Sequence, residues 1–259
     1  MSVNLKAQVK HMLPPFVKGS LKKCIFSCKY IYWVFTSYYN KLTISDLLKR
    51  SHKIHLGCGE IKIDNFINVD IRATTATDII SDCTDLKFLP NSSVEYVFAN
   101  AFLEHVYLSE RQKTINEIYR VLKKGGTAAI FSIPDFEEIS RSYLSKQKMT
   151  KRKLFDLHQA YRLTHGDPEQ APTWWLAQLH KTLFDKETLK KIFRNAGFQH
   201  MLIFRCCYDE DLLPLSLGII AYKTGAKKRL DKKAMIENML RNHKLNFNYS
   251  TIKILFDNT

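Results

Sequence analysis

Five short apolar runs, at residues 53–56, 66–69, 78–80, 94–99 and 127–133, most constrain what this chain can fold into. Runs of three to seven residues have the length of strands, not helices. A helical pattern fills the gap between the last two. Ser109 and Gln112 make a capping box. Ile115, Ile118, Tyr119 and Leu122 follow at helical spacing, and Gly125 and Gly126 read as the stop. Strands alternating with helices predict a mainly parallel sheet in a layered α/β fold.

The second half continues the pattern. Asp185 is the expected N-cap of another helix, with Phe184 stapled onto Leu189. Leu189, Ile192, Phe193 and Ala196 form its apolar face, and Gly197 stops it. Two apolar runs, 198–206 and 215–222, are close enough to pair antiparallel at the sheet edge. Residues 141–184 read as an insertion or lid. The expected domains are a basic, aromatic N-terminal helical extension over 1–50, a main domain over 51–225 and a basic extension over 226–259 with no evident core role.

Charge is uneven. The net is +8 over residues 1–50, −4 over 51–140, +5 over 141–222 and +6 over 223–259. Basic flanks around an acidic block favour an anionic partner: a membrane surface, a phosphorylated substrate or nucleic acid. The same charges also suit a plain solvated surface. Residues 24–39 are apolar and aromatic but short of the roughly 20 residues that span a bilayer. They fit either an interfacial helix at an anionic membrane or a helix packed on the domain. The six cysteines, at 24, 28, 58, 83, 206 and 207, form no CxxC pair and no zinc-finger spacing. Reduced thiols, a cytoplasmic location and no metal site are expected. The location extends to the inner face of a membrane if residues 1–50 bind one.

In a parallel sheet, ligands bind beyond the carboxyl ends of the strands. Gly57-Cys58-Gly59 follow the first run, Asp70 the second, Asp82 and Asp85 the third, and Asn100, Glu104 and His105 the fourth. Glycines admit a ligand close to the backbone. An acid after the second strand can accept two ribose hydroxyls, and one after the third an adenine amino group. The GxGxxG pattern of a pyrophosphate site is missing, and Glu60 follows Gly59. The rim therefore suits a nucleoside without phosphates better than NAD.

At these residues a family resemblance emerges. "HLGCGE", "INVD", "SDCTDLKFLPNSSVEYVFANAFLEHV" and "EIYRVLKKGGTAAIFSIPDF" resemble the class I S-adenosylmethionine-dependent methyltransferases, type 11-like, in the branch with a GCG turn and an INVD second strand. "HKTLFDKETLKKIFRNAGF" is similar to that family's late helix and next strand. The resemblance covers 53–135 and 180–222. It implies a Rossmann-like three-layer sandwich whose seven-stranded sheet has an antiparallel last strand. It implies S-adenosyl-L-methionine as cofactor, with Gly57, Cys58 and Gly59 at the methionine part, Asp70 at the ribose, Asp82 and Cys83 at the adenine, and Asn100 near the substrate mouth.

Three departures stand out. His55 occupies a position where many members have Asp. The third glycine is missing. Only residues 60–65 link the first two strands, too few for a crossover helix. Asn65 stands where that branch often has Gly, and Asn also tolerates the left-handed conformation.

Methyl transfer is an in-line displacement, and a hydroxyl acceptor needs a base. His105 is the first candidate and His165 the second. His180, and Trp174 with Trp175, lie in or beside the insertion that would cover the site. The expected activity is O-methylation of a small molecule or of a glycan intermediate in surface-polysaccharide synthesis, the glycan part resting on the family likeness. The rivals are a nucleic-acid methyltransferase, disfavoured by the lack of an Asn-Pro-Pro-Tyr-like motif, and a non-catalytic membrane-associated scaffold.

Overall fold

The computed structural model describes residues 44–151, 153–166, 178–207, 211–224, 231–243, 245 and 247–259. The aromatic run at 24–39 and Trp174 and Trp175 lie outside these residues. Among the described residues no helix is long and apolar enough to cross a membrane.

The strands are β1 (Lys53–Leu56), β2 (Ile67–Asp70), β3 (Ile79–Ile80), β4 (Val94–Asn100), β5 (Leu122–Pro134), β6 (His200–Cys206), β7 (Ser216–Tyr222) and β8 (Lys253–Asp257). The main helices are α1 (Arg111–Val121), α2 (Phe136–Leu144), α3 (Leu157–His165), α4 (Lys186–Ala196) and α5 (Lys232–Asn242). The strands form one sheet in the order β3-β2-β1-β4-β5-β7-β6-β8. β1 to β5 pair in parallel, whereas β7 is antiparallel to both β5 and β6. The expected seven strands with an antiparallel last member are thus present. An eighth, β8, adds to them by pairing antiparallel with β6.

Side chains alternate across the sheet with period two, as pleating requires. Val97, Ala99, Ala128, Ile130, Met201, Ile203, Leu217 and Ile219 face one core, which α1 and α4 cover with Ile115, Ile118, Leu189, Ile192 and Phe193. Phe98, Ala129, Phe131, Leu202, Phe204 and Ile220 face a second core. Met235, Ile236 and Leu240 of α5, with Phe247 and Ile252, cover it. Residues 226–259 were expected to have no core role. Instead, α5 closes one face of the sheet. Its basic residues hide an apolar stripe only two turns long.

Two local expectations also change. α1 begins at Arg111 after Glu110, with no side-chain cap. Gln112 does not serve a capping box, because its amide donates to Asn116 Oδ1 and to the Ile192 carbonyl of α4. Gly125 and Gly126 do not stop the helix, which ends at Val121; they lie inside β5. The Gly125 N–H donates to the Lys223 carbonyl, so β7's end fixes this stretch as extended. Asp185 caps α4 as expected, accepting from the Thr188 N–H at 2.7 Å. Gly197 ends α4 in the left-handed conformation, φ 110°.

Residues 178–184 act as a strap across the carboxyl ends of the strands. The Lys181 N–H donates to the Glu104 carbonyl at 2.7 Å, and the Phe136 N–H donates to the Phe184 carbonyl at 2.8 Å. A bridge between Asp135 and Phe184 extends this seam to the end of β5.

Candidate active site

β1 ends at Leu56, and the chain turns through Gly57 and Gly59 with φ of +65° and +55°. That conformation is close to free for glycine and strained for other residues. A Cβ on Gly57 would also lie 3.0 Å from the Phe102 ring. Asn65 takes φ 62°, so the short 60–65 link closes in the conformation expected of it.

β2 delivers Asp70 beside this turn. The Gly59 N–H donates to Asp70 Oδ2 and the Arg72 N–H to Asp70 Oδ1, both at 2.8 Å. These bonds orient the carboxylate. A carboxylate offers about four acceptor sites, so each oxygen keeps capacity for a hydroxyl donor. β3 leads to Asp82, whose Oδ1 accepts from the Thr84 N–H and hydroxyl, both at 2.8 Å.

These groups border one cleft of about 250 Å³, with Gly57, Gly59, Asp70, Asp82, Cys83 and His105 in its wall. Ile71, Arg72, Thr84, Phe102, Tyr107 and Lys181 complete much of the lining, none of them singled out from the sequence. The signal for most was available, since each lies next to a strand-end candidate. Lys181 comes from the strap, far along the chain.

Cys58, Asn100, Asp85 and His55 are not in this lining. Cys58 is buried behind the turn with Sγ 3.8 Å from Thr77 Oγ1, and burial pushes its thiol up to about 11. Burial raises Cys83 as well. Both thiols therefore stay protonated and are not nucleophiles. Asn100 is outside the cleft lining and accepts from the Ser132 hydroxyl at 2.6 Å. Asp85 binds Lys87 and Lys113. His55 is buried in β1 against Asn68 and Phe98, away from the lining.

The two histidines proposed for catalysis part company. His105, in the short 3-10 turn Leu103–His105 after β4, lines the cleft. Its Nδ1 is 3.2 Å from the Leu179 carbonyl, an acceptor only, so Nδ1 carries the proton and Nε2 keeps its lone pair. Burial, with His180 nearby, lowers its pKa to about 4. It is neutral at pH 7 and a weak proton acceptor. His165 instead lines a separate apolar hollow of about 790 Å³ between α2 and α3, stacked on Tyr161. The α3 helix turns it there, so the structure does not join it to the cleft. His180 is drawn beside His105, the ring centroids 5.1 Å apart.

With this geometry in view, residues 56–130 match the family model described as a methyltransferase domain. The chain is 27% identical over 184 residues to the carboxy-S-adenosyl-L-methionine synthase of Yersinia enterocolitica, covering 66% of this chain and 64% of the relative. It is 26% identical over 174 residues to that of Erwinia tasmaniensis, covering 62% of this chain and 66% of the relative. The chain thus spans just under two thirds of the length of the curated relatives it matches. A solved SAM-dependent methyltransferase from Archaeoglobus fulgidus overlays at TM-score 0.45 and 18% identity, covering 74% of this chain and 99% of that one. The matched segment runs from the end of β1 into β5 and holds the glycine turn, Asp70, Asp82 and His105. The glycine turn, Asp70, Asp82 and His105 therefore lie within a segment, residues 56–130, that is similar to a methyltransferase domain.

Proposed function

We propose that the cleft binds S-adenosyl-L-methionine and that the chain transfers a methyl group from it to the oxygen of a small acceptor. The observation that carries this reading is the pairing of Asp70 with the glycine turn on one cleft wall. Backbone N–H groups hold the carboxylate in place and leave it acceptor capacity for ribose hydroxyls. The residues fit a nucleoside: Gly57 gives close backbone approach against Phe102, and Asp82 with Cys83 border the same cleft. Asp70, Asp82 and Glu110 outnumber Arg72 and Lys181 in the lining, which favours a nucleoside over a pyrophosphate.

When bound, the cofactor supplies a sulfonium methyl group. This chain's residues would hold the adenosine, orient the acceptor and exclude water. His105 offers its Nε2 lone pair to an acceptor hydroxyl as a hydrogen-bond partner. Its low basicity suits orientation better than full proton removal. The glycan or sugar-intermediate acceptor rests on the family likeness and on the basic blocks flanking the acidic one. A membrane contact through residues 1–50 and a cytoplasmic setting belong to the same proposal.

The relatives' name supports a second reading, in which the chain acts on the cofactor itself and forms carboxy-S-adenosyl-L-methionine. Calorimetry with S-adenosylmethionine, S-adenosylhomocysteine and NAD tests the shared part. The first two should bind and NAD should not. Asp70→Asn should weaken binding about tenfold to a hundredfold, the value of hydrogen bonds to a charged acceptor. Failure of both adenosyl ligands to bind, or an unchanged affinity in D70N, would overturn the assignment. Mass spectrometry of the nucleoside product then separates S-adenosylhomocysteine from the carboxylated form.

A further inference from the structure

Glu104 ends up buried without a full complement of partners. It is 2% exposed, and its Oε2 has no hydrogen-bond partner among the described residues. A buried carboxylate left uncompensated is costly, so such a group takes up a proton, is paired or coordinates a metal. Lys181, on the strap, is turned elsewhere. Lys181 Nζ donates to the His105 carbonyl at 3.1 Å and lies 4.8 Å from the Tyr107 ring centroid.

Two imidazoles stand beside that carboxylate. Ligand atoms of Glu104, His105 and His180 all lie within 4.8 Å of one another. His105 Nε2 is 3.9 Å from Glu104 Oε1. Each histidine has its Nδ1 proton committed to a backbone carbonyl. His105 donates to Leu179 at 3.2 Å, and His180 donates to Leu163 at 2.8 Å. In the neutral rings each Nε2 therefore carries the lone pair. Ring N–H to carbonyl bonds of this kind fix the tautomer and orientation of metal-ligating histidines. The strap holds the three residues in place, because the Lys181 and Thr182 N–H groups both donate to the Glu104 carbonyl.

We propose that Glu104, His105 and His180 form a binding site for one divalent first-row transition-metal ion of the zinc, cobalt or iron class. Two imidazole nitrogens and one carboxylate oxygen suit such ions, whereas magnesium and calcium prefer oxygen alone. Zinc–nitrogen bonds of about 2.0–2.1 Å bring tetrahedral ligand atoms to roughly 3.3 Å from one another, so binding closes the His105–Glu104 pair by about 0.6 Å and any pair by at most about 1.5 Å. Three protein ligands leave a position open. His105 borders the cleft, so that position would lie beside the acceptor region, where a dication can polarise an oxygen in place of the direct bond from His105 Nε2, whose one lone pair the ion would then hold. The site goes beyond the cofactor proposal and does not depend on it.

The test uses tag-free, chelator-stripped full-length chain titrated with Co²⁺, followed by calorimetry and visible absorption. The expected result is one equivalent bound, with d–d bands and no thiolate charge-transfer band. Glu104→Gln, which keeps the side chain's shape, and His180→Ala should each weaken binding at least about tenfold, while His200→Ala should not. Thermal melts of the metal-free variants check folding, and E104Q alone decides if H180A fails to fold. No saturable binding by the unmodified chain, a thiolate band, or equal affinity in E104Q would overturn the site. S-adenosylmethionine binding by the same stripped samples is read separately. Cofactor binding without metal uptake therefore removes the ion site and leaves the methyl-transfer reading standing.

Discussion

His55 stands on β1 with 3% of its surface exposed. Its Nδ1 lies 3.1 Å from Asn68 Oδ1, an oxygen that also accepts from the Ile63 N–H. Burial is the main cause that lowers its pKa from 6.5 to about 4, outweighing the Asn68 bond. The unfolded chain therefore takes up this proton more readily than the folded one. The stability held by a neutral His55 is complete above about pH 6.5 and is lost as pH falls toward about 4, by at most about 3 kcal/mol. His243, packed face to face on Phe98 at 3.9 Å, is lowered in the same direction by burial. Urea unfolding between about pH 7.5 and about pH 4.5 should show this acid limb, and His55→Leu should reduce its slope by up to one proton. An identical slope in H55L would refute the assignment. The sequence marked His55 as a departure at the cofactor position but could not show that it faces the second core. It made Asp70 and the glycine turn legible, because each directly follows its strand. The pairing of Glu104 with His180 was illegible, since 75 residues intervene and only backbone bonds through the strap join them.

At the ends of β5 and β6 a charged network is sealed inside the structure. Arg205 is 4% exposed. Its Nε pairs with Asp135 Oδ2, and its Nη1 donates to Glu138 Oε2 at 2.7 Å. Asp135 also caps α2, accepting from the Glu137 N–H at 3.1 Å. One guanidinium thus joins the exit of β5, the start of α2 and the end of β6. Arg205→Leu leaves buried Asp135 without its cation and Glu138 with Arg141 alone, whose Nη1 donates to Glu138 Oε2 at 2.7 Å, and should destabilise the fold by about 3–5 kcal/mol, measured by chemical denaturation. A loss under about 1 kcal/mol would mean that water or Arg141 replaces the missing charge. At this scale, elements with an internal signal were readable: α4 has its Asp185 cap, apolar face and terminal glycine. β5 was read short by five residues at its start. Gly125 and Gly126 signal a helix stop locally, whereas the neighbouring end of β7 makes them strand.

The whole sheet is closed by a segment whose composition conceals its role. Residues 226–259 carry a strong positive charge, yet Met235, Ile236, Leu240, Phe247 and Ile252 cover Phe98, Phe131 and Phe204. Burying each such side chain contributes about 1.5–3 kcal/mol. Together they rival the roughly 5–15 kcal/mol net stability of a typical domain. A chain ending at Thr224 should lose its cooperative thermal transition and bind a hydrophobic dye such as ANS. A sharp melt without dye binding would show that the sheet stands without its second cover. That β1 to β5 belong to a mainly parallel sheet could be read from alternation, but the identity of this cover could not, because a two-turn apolar stripe among lysines matches a solvated helix equally well. The strap has a separate consequence for diversification. The wall proposed for a nucleoside comes from strand ends, whereas His180 and Lys181 arrive on a backbone seam stitched across them. Replacing the stretch between α2 and α4 with another of equal reach would exchange the chemistry facing the acceptor and leave the adenosine contacts intact, so relatives could diverge in substrate by trading one loop cassette.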